Sequence, residues 1–184
     1  MRVIAGTYKG HSLKAVPGMN TRPTTDKVKE AVFHRIGPFF DGGLGLDLFA
    51  GSGGLGIEAI SRGLDRCIFV DHNGKSIQII KENIASLRID QERVEIYKAD
   101  AKRALKACAK RELQFDLIML DPPYKLKNHM ELVEQIEQLG LLKESGIILC
   151  EHDAKDILTD TSQLSIWKKE EYGLIGVTIY RKRI

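Results

Sequence analysis

The stretch Asp47-Leu48-Phe49-Ala50-Gly51-Ser52-Gly53-Gly54-Leu55-Gly56 decides the fold. An apolar run over 44–49 leads into it and an amphipathic run over 54–62 leaves it, so it reads as strand, glycine turn and helix. Gly51, Gly53 and Gly56 satisfy G-x-G-x-x-G, in which glycines let the backbone approach a cofactor closely at the carboxyl end of a strand. Further apolar runs over 66–71, 93–98, 115–120 and 146–151 alternate with amphipathic stretches over 74–87, 101–110 and 128–139. That alternation predicts parallel strands joined by crossover helices, with Ile77, Ile80, Ile84 and Leu87 as the buried stripe of the second helix. Residues 164–168 and 177–181, separated by a Gly-containing turn, predict a closing antiparallel pair. The expected architecture is an α/β fold with a doubly wound, mostly parallel seven-stranded sheet.

Ahead of this body lies a different pattern. Residues 2–5 and 12–16, around Gly6, Gly10 and Pro17, predict a β-hairpin. Thr24, Thr25 and Asp26 then offer helix caps for Val28, Ala31, Val32 and Ile36, and Gly37-Pro38 ends the run. The chain therefore divides into a hairpin-and-helix appendage over 1–40 and a main domain over 41–184. The first 35 residues hold seven basic side chains (Arg2, Lys9, Lys14, Arg22, Lys27, Lys29, Arg35) against Asp26 and Glu30, although the whole chain of 184 residues carries only +3. Such a segment suits phosphates, or simply a solvated face. Cys67, Cys108 and Cys150 are widely spaced and the five histidines show no ligand spacing, so neither a disulfide framework nor a metal site is expected. No apolar run approaches the ~20 residues of a membrane span or forms a secretory segment, which predicts a cytoplasmic protein without a membrane partner. His11, His34 and His129 read as surface or packing residues, Trp167 as core, and Arg181-Lys182-Arg183 as a solubilising tail.

Three acidic residues fall at strand ends. Asp71, 20 residues beyond Gly51, is placed to accept from ribose hydroxyls, which suits a nicotinamide dinucleotide as well as any other adenosine cofactor. Asp100, beside Ala101, could accept from an adenine amine or cap the following helix. Asp121-Pro122-Pro123-Tyr124 follows the apolar run 115–120. The paired prolines fix an extended backbone, so a carboxylate and a carbonyl can accept both hydrogens of a planar amino group. Tyr124 adds an aromatic face on which an extruded base could stack.

These motifs carry a family resemblance. Asp47 to Gly56 resembles the S-adenosylmethionine loop of class I methyltransferases, which have a Rossmann-like sheet. Asp121 to Tyr124 resembles the [D/N/S]-P-P-[Y/F/W] motif of enzymes that methylate exocyclic amines of nucleobases. Together with Arg2-Val3-Ile4-Ala5-Gly6, Lys9-Gly10, Leu13, the segment Arg22-Pro23-Thr24-Thr25-Asp26-Lys27-Val28-Lys29-Glu30-Ala31-Val32-Phe33, and Glu58-Ala59-Ile60-Ser61-Arg62-Gly63, almost the whole chain is similar to the ribosomal RNA small-subunit methyltransferase D family.

The resemblance implies methylation of a guanine N2 amine in 16S ribosomal RNA, guanine 966 in the family's usual name, with S-adenosylmethionine as donor, no metal and no obligate protein partner. It implies a substrate presented by the small ribosomal subunit or its assembly intermediate. Asp47, Phe49, Ala50, Gly51, Ser52 and Gly53 would hold the methionine part, Asp71 with His72 the ribose, Asp100 with Ala101 the adenine, and Asp121, Pro122, Pro123 and Tyr124 the target base. Where many relatives carry Glu at the end of the second strand, this chain has Asp71. The expected RNA contacts are Arg2, Lys9, Lys14, Arg22 and Lys29, joined by Lys102, Arg103, Lys125 and Lys127 near the strand tips. Three other readings compete: an amino-methyltransferase of another RNA or DNA base, a nicotinamide-dependent oxidoreductase, and a non-catalytic RNA-binding assembly factor.

Overall fold

The structure, a computed structural model, describes residues 1–18, 26–123 and 125–184. Its sheet strands are β1 (Leu44–Asp47), β2 (Arg66–Asp71), β3 (Val94–Lys98), β4 (Phe115–Leu120), β5 (Leu142–Asp153), β6 (Leu164–Tyr172) and β7 (Ile175–Lys182). They lie in the order β3-β2-β1-β4-β5-β7-β6. The first five are mutually parallel, and β7 runs antiparallel between β5 and β6. This is the Rossmann-like sheet of class I methyltransferases with its antiparallel closing pair.

Helices α1 (Asp26–Ile36), α2 (Gly54–Ser61) and α3 (Gly74–Ser86) cover one face, and α4 (Ala101–Lys110) and α5 (His129–Gln138) cover the other. Strand alternation feeds both layers. Phe69, Leu117, Met119 and Leu149 pack under α1 to α3, whereas Ile68, Val70, Ile118, Leu120, Ile148 and Cys150 pack under α4 and α5. The continuous apolar runs are therefore central strands buried on both faces. The sheet reverses its winding between β1 and β4, so their carboxyl ends flank the crevice where ligands of such sheets bind.

Several boundaries differ from the sequence pattern. β1 ends at Asp47, because Leu48 turns away while its N–H donates to the Met119 carbonyl at 3.1 Å. β5 starts at Leu142, and its first half is concealed in sequence by the polar Lys143-Glu144-Ser145. The expected hairpin is reduced to one antiparallel bridge, Arg2 with Ser12, beside the bonds Val3 N–H to His11 O at 2.9 Å and Gly10 N–H to Val3 O at 2.8 Å. Trp167 is not core. The β6–β7 register slips between Ile166 and Lys168, and this bulge leaves the indole 36% exposed, with Lys168 Nζ 4.3 Å and Arg181 Cζ 5.2 Å from its ring. Arg181 and Lys182 are no tail either, since they close β7 against Ile147 and Leu164.

The N-terminal segment is bonded to the body through α2. Glu58, fully buried, accepts from the Ile4 N–H at 2.9 Å and the Ala5 N–H at 3.1 Å. Ser61 Oγ donates to Ala5 O at 2.6 Å and accepts from Tyr8 N–H at 2.9 Å. Two cations close the arrangement: Lys29 Nζ lies 3.3 Å and Arg62 Nε 2.8 Å from the Glu58 carboxylate. The Lys29 expectation is thereby corrected. With its side chain 1% exposed, and Nζ also donating to Arg2 O at 2.5 Å, Lys29 is an internal counter-ion that phosphate does not reach. Burial holds its ammonium below the ordinary lysine range, and the Glu58 charge opposes that shift.

Candidate active site

The glycine loop sits where β1 gives way to α2 and is tied to the end of β2. Ala50 N–H donates to Val70 O at 2.9 Å, and Gly51 N–H donates to Asp71 Oδ2 at the same distance. Two glycines have separate physical reasons. Gly51 has φ +57°, and a Cβ there would meet no protein atom within 4 Å, so its backbone opens onto free space. Gly56 faces inward: a Cβ would come 2.4 Å from Phe69 Cε1, and its absence lets α2 lie close on β2. Thus Gly51 leaves room for a ligand, while Gly56 serves helix packing.

Asp47 is 1% exposed, and its Oδ2 accepts from the Gly56 N–H at 2.9 Å. Burial, with a smaller contribution from the Asp71 charge and against the Gly56 hydrogen bond, pushes its carboxyl up to about 7. Asp71, 8% exposed, accepts from Gly51 N–H through one oxygen and from Asn73 N–H, at 2.9 Å, through the other. Each carboxylate oxygen has a second acceptor site, so these bonds set the loop's shape without exhausting Asp71. His72 is exposed, its Nδ1 3.8 Å from Asp71 Oδ1. Asp100 caps α4, accepting from Arg103 N–H at 3.3 Å, and Ala101 is buried behind it. Phe49 is half-buried, Ala50 and Ser52 are buried, and Gly53 precedes α2 in the left-handed region.

One residue of this loop environment had no signal in the motifs. Asn83 of α3 is 1% exposed and its side-chain amide joins three backbone groups. Its Nδ2 donates to Ser52 O at 2.9 Å and to Lys14 O at 3.1 Å, and its Oδ1 accepts from Lys14 N–H at 2.8 Å. The glycine loop and the N-terminal segment thus share a single buried anchor. A polar residue on the inner side of an amphipathic helix was the available clue, and the sequence does not say what it faces.

On the other side of the switch point, Asp121 leaves the end of β4 half-buried, Pro122 is buried and Pro123 is exposed. Tyr124 lies outside the described residues, as does Arg22. The strand order puts Asp71 and Asp100 after β2 and β3, the glycine loop after β1, and Asp121 after β4. A ligand crossing the tips of β1 to β3 therefore ends beside Asp121. The expected basic residues spread differently. Lys9 is exposed, Arg2 pairs with Asp26 at 3.3 Å, and Lys14 stands 3.7 Å from Glu82, both cations largely in solvent. Lys102 pairs with Glu131 at 2.8 Å and Lys127 with Asp156 at 3.6 Å, while Arg103 and Lys125 are exposed.

A family model described as "Conserved hypothetical protein 95" matches residues 1–181. The chain belongs to this family. It is 55% identical over 184 residues to "Putative rRNA methyltransferase YlbH" of Bacillus subtilis, covering 100% of both proteins. It is 30% identical over 185 residues to "Ribosomal RNA small subunit methyltransferase D" of Haemophilus influenzae, covering 98% of this chain and 93% of the relative. Among solved structures, a Streptococcus pyogenes conserved hypothetical protein is 39% identical with TM-score 0.79, over 85% of this chain and 96% of that one. The Escherichia coli protein titled "Putative methyltransferase yhhF" is 27% identical with TM-score 0.84, over 100% and 98%. The named relatives are those to which the sequence resemblance pointed, and the match extends through the N-terminal segment that Glu58 and Ser61 hold in place.

Proposed function

We propose that this protein transfers a methyl group from S-adenosylmethionine to the N2 amine of a guanine in 16S ribosomal RNA. The observation that carries the reading is the placement of Asp121 and the rigid prolines after β4, directly across the switch point from the glycine loop after β1. Membership in a family with relatives named as ribosomal RNA methyltransferases supports it. The donor fits the residues present. Gly51 opens on free space, Asp71 retains acceptor capacity for a ribose, and the buried Asp47 fixes the loop between them by accepting from the Gly56 N–H. When bound, S-adenosylmethionine supplies an electrophilic methyl on a sulfonium centre.

The chain's own residues then orient the nucleophile. A guanine amine is conjugated with its ring and weakly basic, so it must be aligned and turned toward tetrahedral geometry. The Asp121 carboxylate and the Pro122 carbonyl accept hydrogen bonds from its two N–H groups, and their negative ends oppose the positive charge that develops on nitrogen; as the N–C bond forms the S–CH3 bond breaks, and the proton released from nitrogen passes to Asp121 or to water. Basic residues of the N-terminal segment, Arg2, Lys9 and Lys14, hold phosphates and supply position, whereas the pocket supplies base choice. The segment over 1–40 acts as the RNA-binding part of the molecule and residues 41–184 as the methyl-transfer part. The test is transfer of labelled methyl to ribosomal RNA and to small subunits from cells lacking the gene, followed by nucleoside mass spectrometry. One N2-methylguanosine is expected. With Asp121→Ala, transfer falls at least about 100-fold while donor binding by calorimetry stays intact; near-normal turnover of that variant removes the assignment.

A further inference from the structure

The Asp-Pro-Pro segment accepts an amine, and both adenine and guanine present one on their Watson–Crick edges. Selection of guanine therefore requires another group beside Asp121. The next strand supplies one. The last registered pair of β4 and β5 is Leu120 with Cys150. One residue further come Asp121, the first residue after β4, and Glu151, still within β5, so continuing the register sets them side by side at about the 4.8 Å strand spacing.

Alternation fixes the faces. Leu120 and Cys150 belong to the core under α4 and α5, whereas Met119 and Leu149 belong to the core under α1 to α3. Asp121 and Glu151 continue the second series. The antiparallel side agrees, since Glu151 is opposite Val177, which lies in that same core. His152, the next residue, uses its ring on Thr178 Oγ1 at 2.8 Å, stands 5.7 Å from His129, and has Nδ1 2.8 Å from Asp153 O. The Glu151 carbonyl is fixed by His129 Nε2 at 2.9 Å, which anchors the end of β5 to the start of α5. Glu151 itself is only 5% exposed. The geometry is a buried carboxylate on a rigid strand, one strand from the carboxylate assigned to the amine. Both residues already interact with other parts of the chain, so an entering base exchanges with existing contacts rather than filling a void.

We infer that Glu151 selects guanine by accepting its N1–H while Asp121 takes the N2 amine; this rests on the guanine-N2 reading above. Guanine places two donors, N1–H and N2–H, side by side along one edge, and two adjacent carboxylates match that pair. Adenine places an acceptor, N1, beside its amine. Its lone pair would face the Glu151 carboxylate with no hydrogen between them. A buried charge without a donor is costly, so this mismatch discriminates strongly between otherwise similar purines.

The test compares synthetic RNA hairpins of the target region, carrying guanine or 2-aminopurine at the modified position, as methyl acceptors for the full chain. 2-Aminopurine keeps the N2 amine, replaces N1–H with an acceptor and lacks O6, so the change of preference in a Glu151 variant is what assigns the effect to the N1 edge. The wild-type protein is expected to favour guanine by about 100-fold or more in kcat/KM. Glu151→Gln, whose amide can accept from N1–H through its oxygen and donate to an N1 acceptor through its nitrogen, is expected to narrow or invert the preference. Equal wild-type rates on the two hairpins overturn the inference while leaving the guanine-N2 function standing, and this comparison needs no variant. An unchanged preference in a folded Glu151→Gln protein overturns it as well. No transfer to guanine in the hairpin or in unmodified small subunits, with donor binding demonstrated, overturns the function and this inference with it.

Discussion

Replacing Asp47 by asparagine separates the demands of folding from those of the site. Burial raises the Asp47 carboxyl from an ordinary 3.8 to about 7. Between those values the folded chain holds a proton that the unfolded chain has lost. The folded state is therefore favoured most below about pH 3.8, and this group's contribution declines as pH rises toward 7. At ~1.4 kcal/mol per pH unit, the decline over the two units between pH 5 and pH 7 is about 2.7 kcal/mol, and nothing further is lost above it. Asp47→Asn removes the titration, and its amide oxygen can still accept from the Gly56 N–H. Its NH2 group needs partners in the same dry site, which costs about 1–3 kcal/mol at every pH. Urea denaturation of both proteins at pH 5 and pH 8 isolates the effect. The stability of the variant relative to wild type should rise by about 2–3 kcal/mol between the two conditions, whatever its sign at pH 5. Parallel stability curves would refute the assignment of a raised, buried carboxyl at this position. Because the amide oxygen keeps the bond from the Gly56 N–H and the side chain is buried, the same variant should bind S-adenosylmethionine with nearly wild-type affinity in calorimetry.

Three further perturbations address the rest of the site. Glu58→Ala strands Lys29 and Arg62 as buried cations and frees the Ile4 and Ala5 N–H groups; it should destabilise the fold by about 3–5 kcal/mol in urea titrations and admit protease to the first 14 residues. Reversing Lys9 and Lys14 together to Glu should weaken RNA binding and flatten its dependence on salt, measured by fluorescence anisotropy across a salt series, with donor affinity unchanged. Asn83→Ala leaves Ser52 O, Lys14 O and Lys14 N–H without their shared partner. Calorimetry on that variant should show a several-fold loss of donor affinity, and hydrogen exchange should show faster opening of the glycine loop and the N-terminal segment together. Opening of one without the other would separate them.

The sheet was legible because each of its central strands is buried on both faces. The run Leu117 to Leu120 has no polar residue to confuse it, and the intervening helices carry a clear stripe. The ends were not legible where polar residues continue a strand, as Lys143 to Ser145 do in β5, or where a bulge turns a large side chain outward, as at Trp167. Composition located a basic N-terminal segment but could not assign its members. Lys27 and Lys29 stand two residues apart on α1, one exposed and one buried, and only the position of Glu58 on another helix decides which cation is structural.

The same limit explains how the site was read. Glycines, prolines and strand-end carboxylates announce themselves locally, because their chemistry acts through the backbone or at a fixed offset from it. Asn83 and Glu151 do not. Asn83 matters because two loops far apart in sequence meet at its amide, and Glu151 carries the proposal because the β4–β5 register, continued one residue past Leu120 and Cys150, sets it next to Asp121. Both relations are set by pairing across the fold. The N-terminal segment illustrates the consequence: its bonds to Glu58, Ser61 and Asn83 join residues proposed to meet RNA to the helix and loop proposed to hold the donor. A displacement of Lys14 by RNA would strain the bond from Asn83 to Ser52, and the free energy of binding one substrate would then depend on the state of the other. Thermodynamic linkage makes that dependence reciprocal, and loss of the Asn83 amide should uncouple the two sites even where each still binds its ligand.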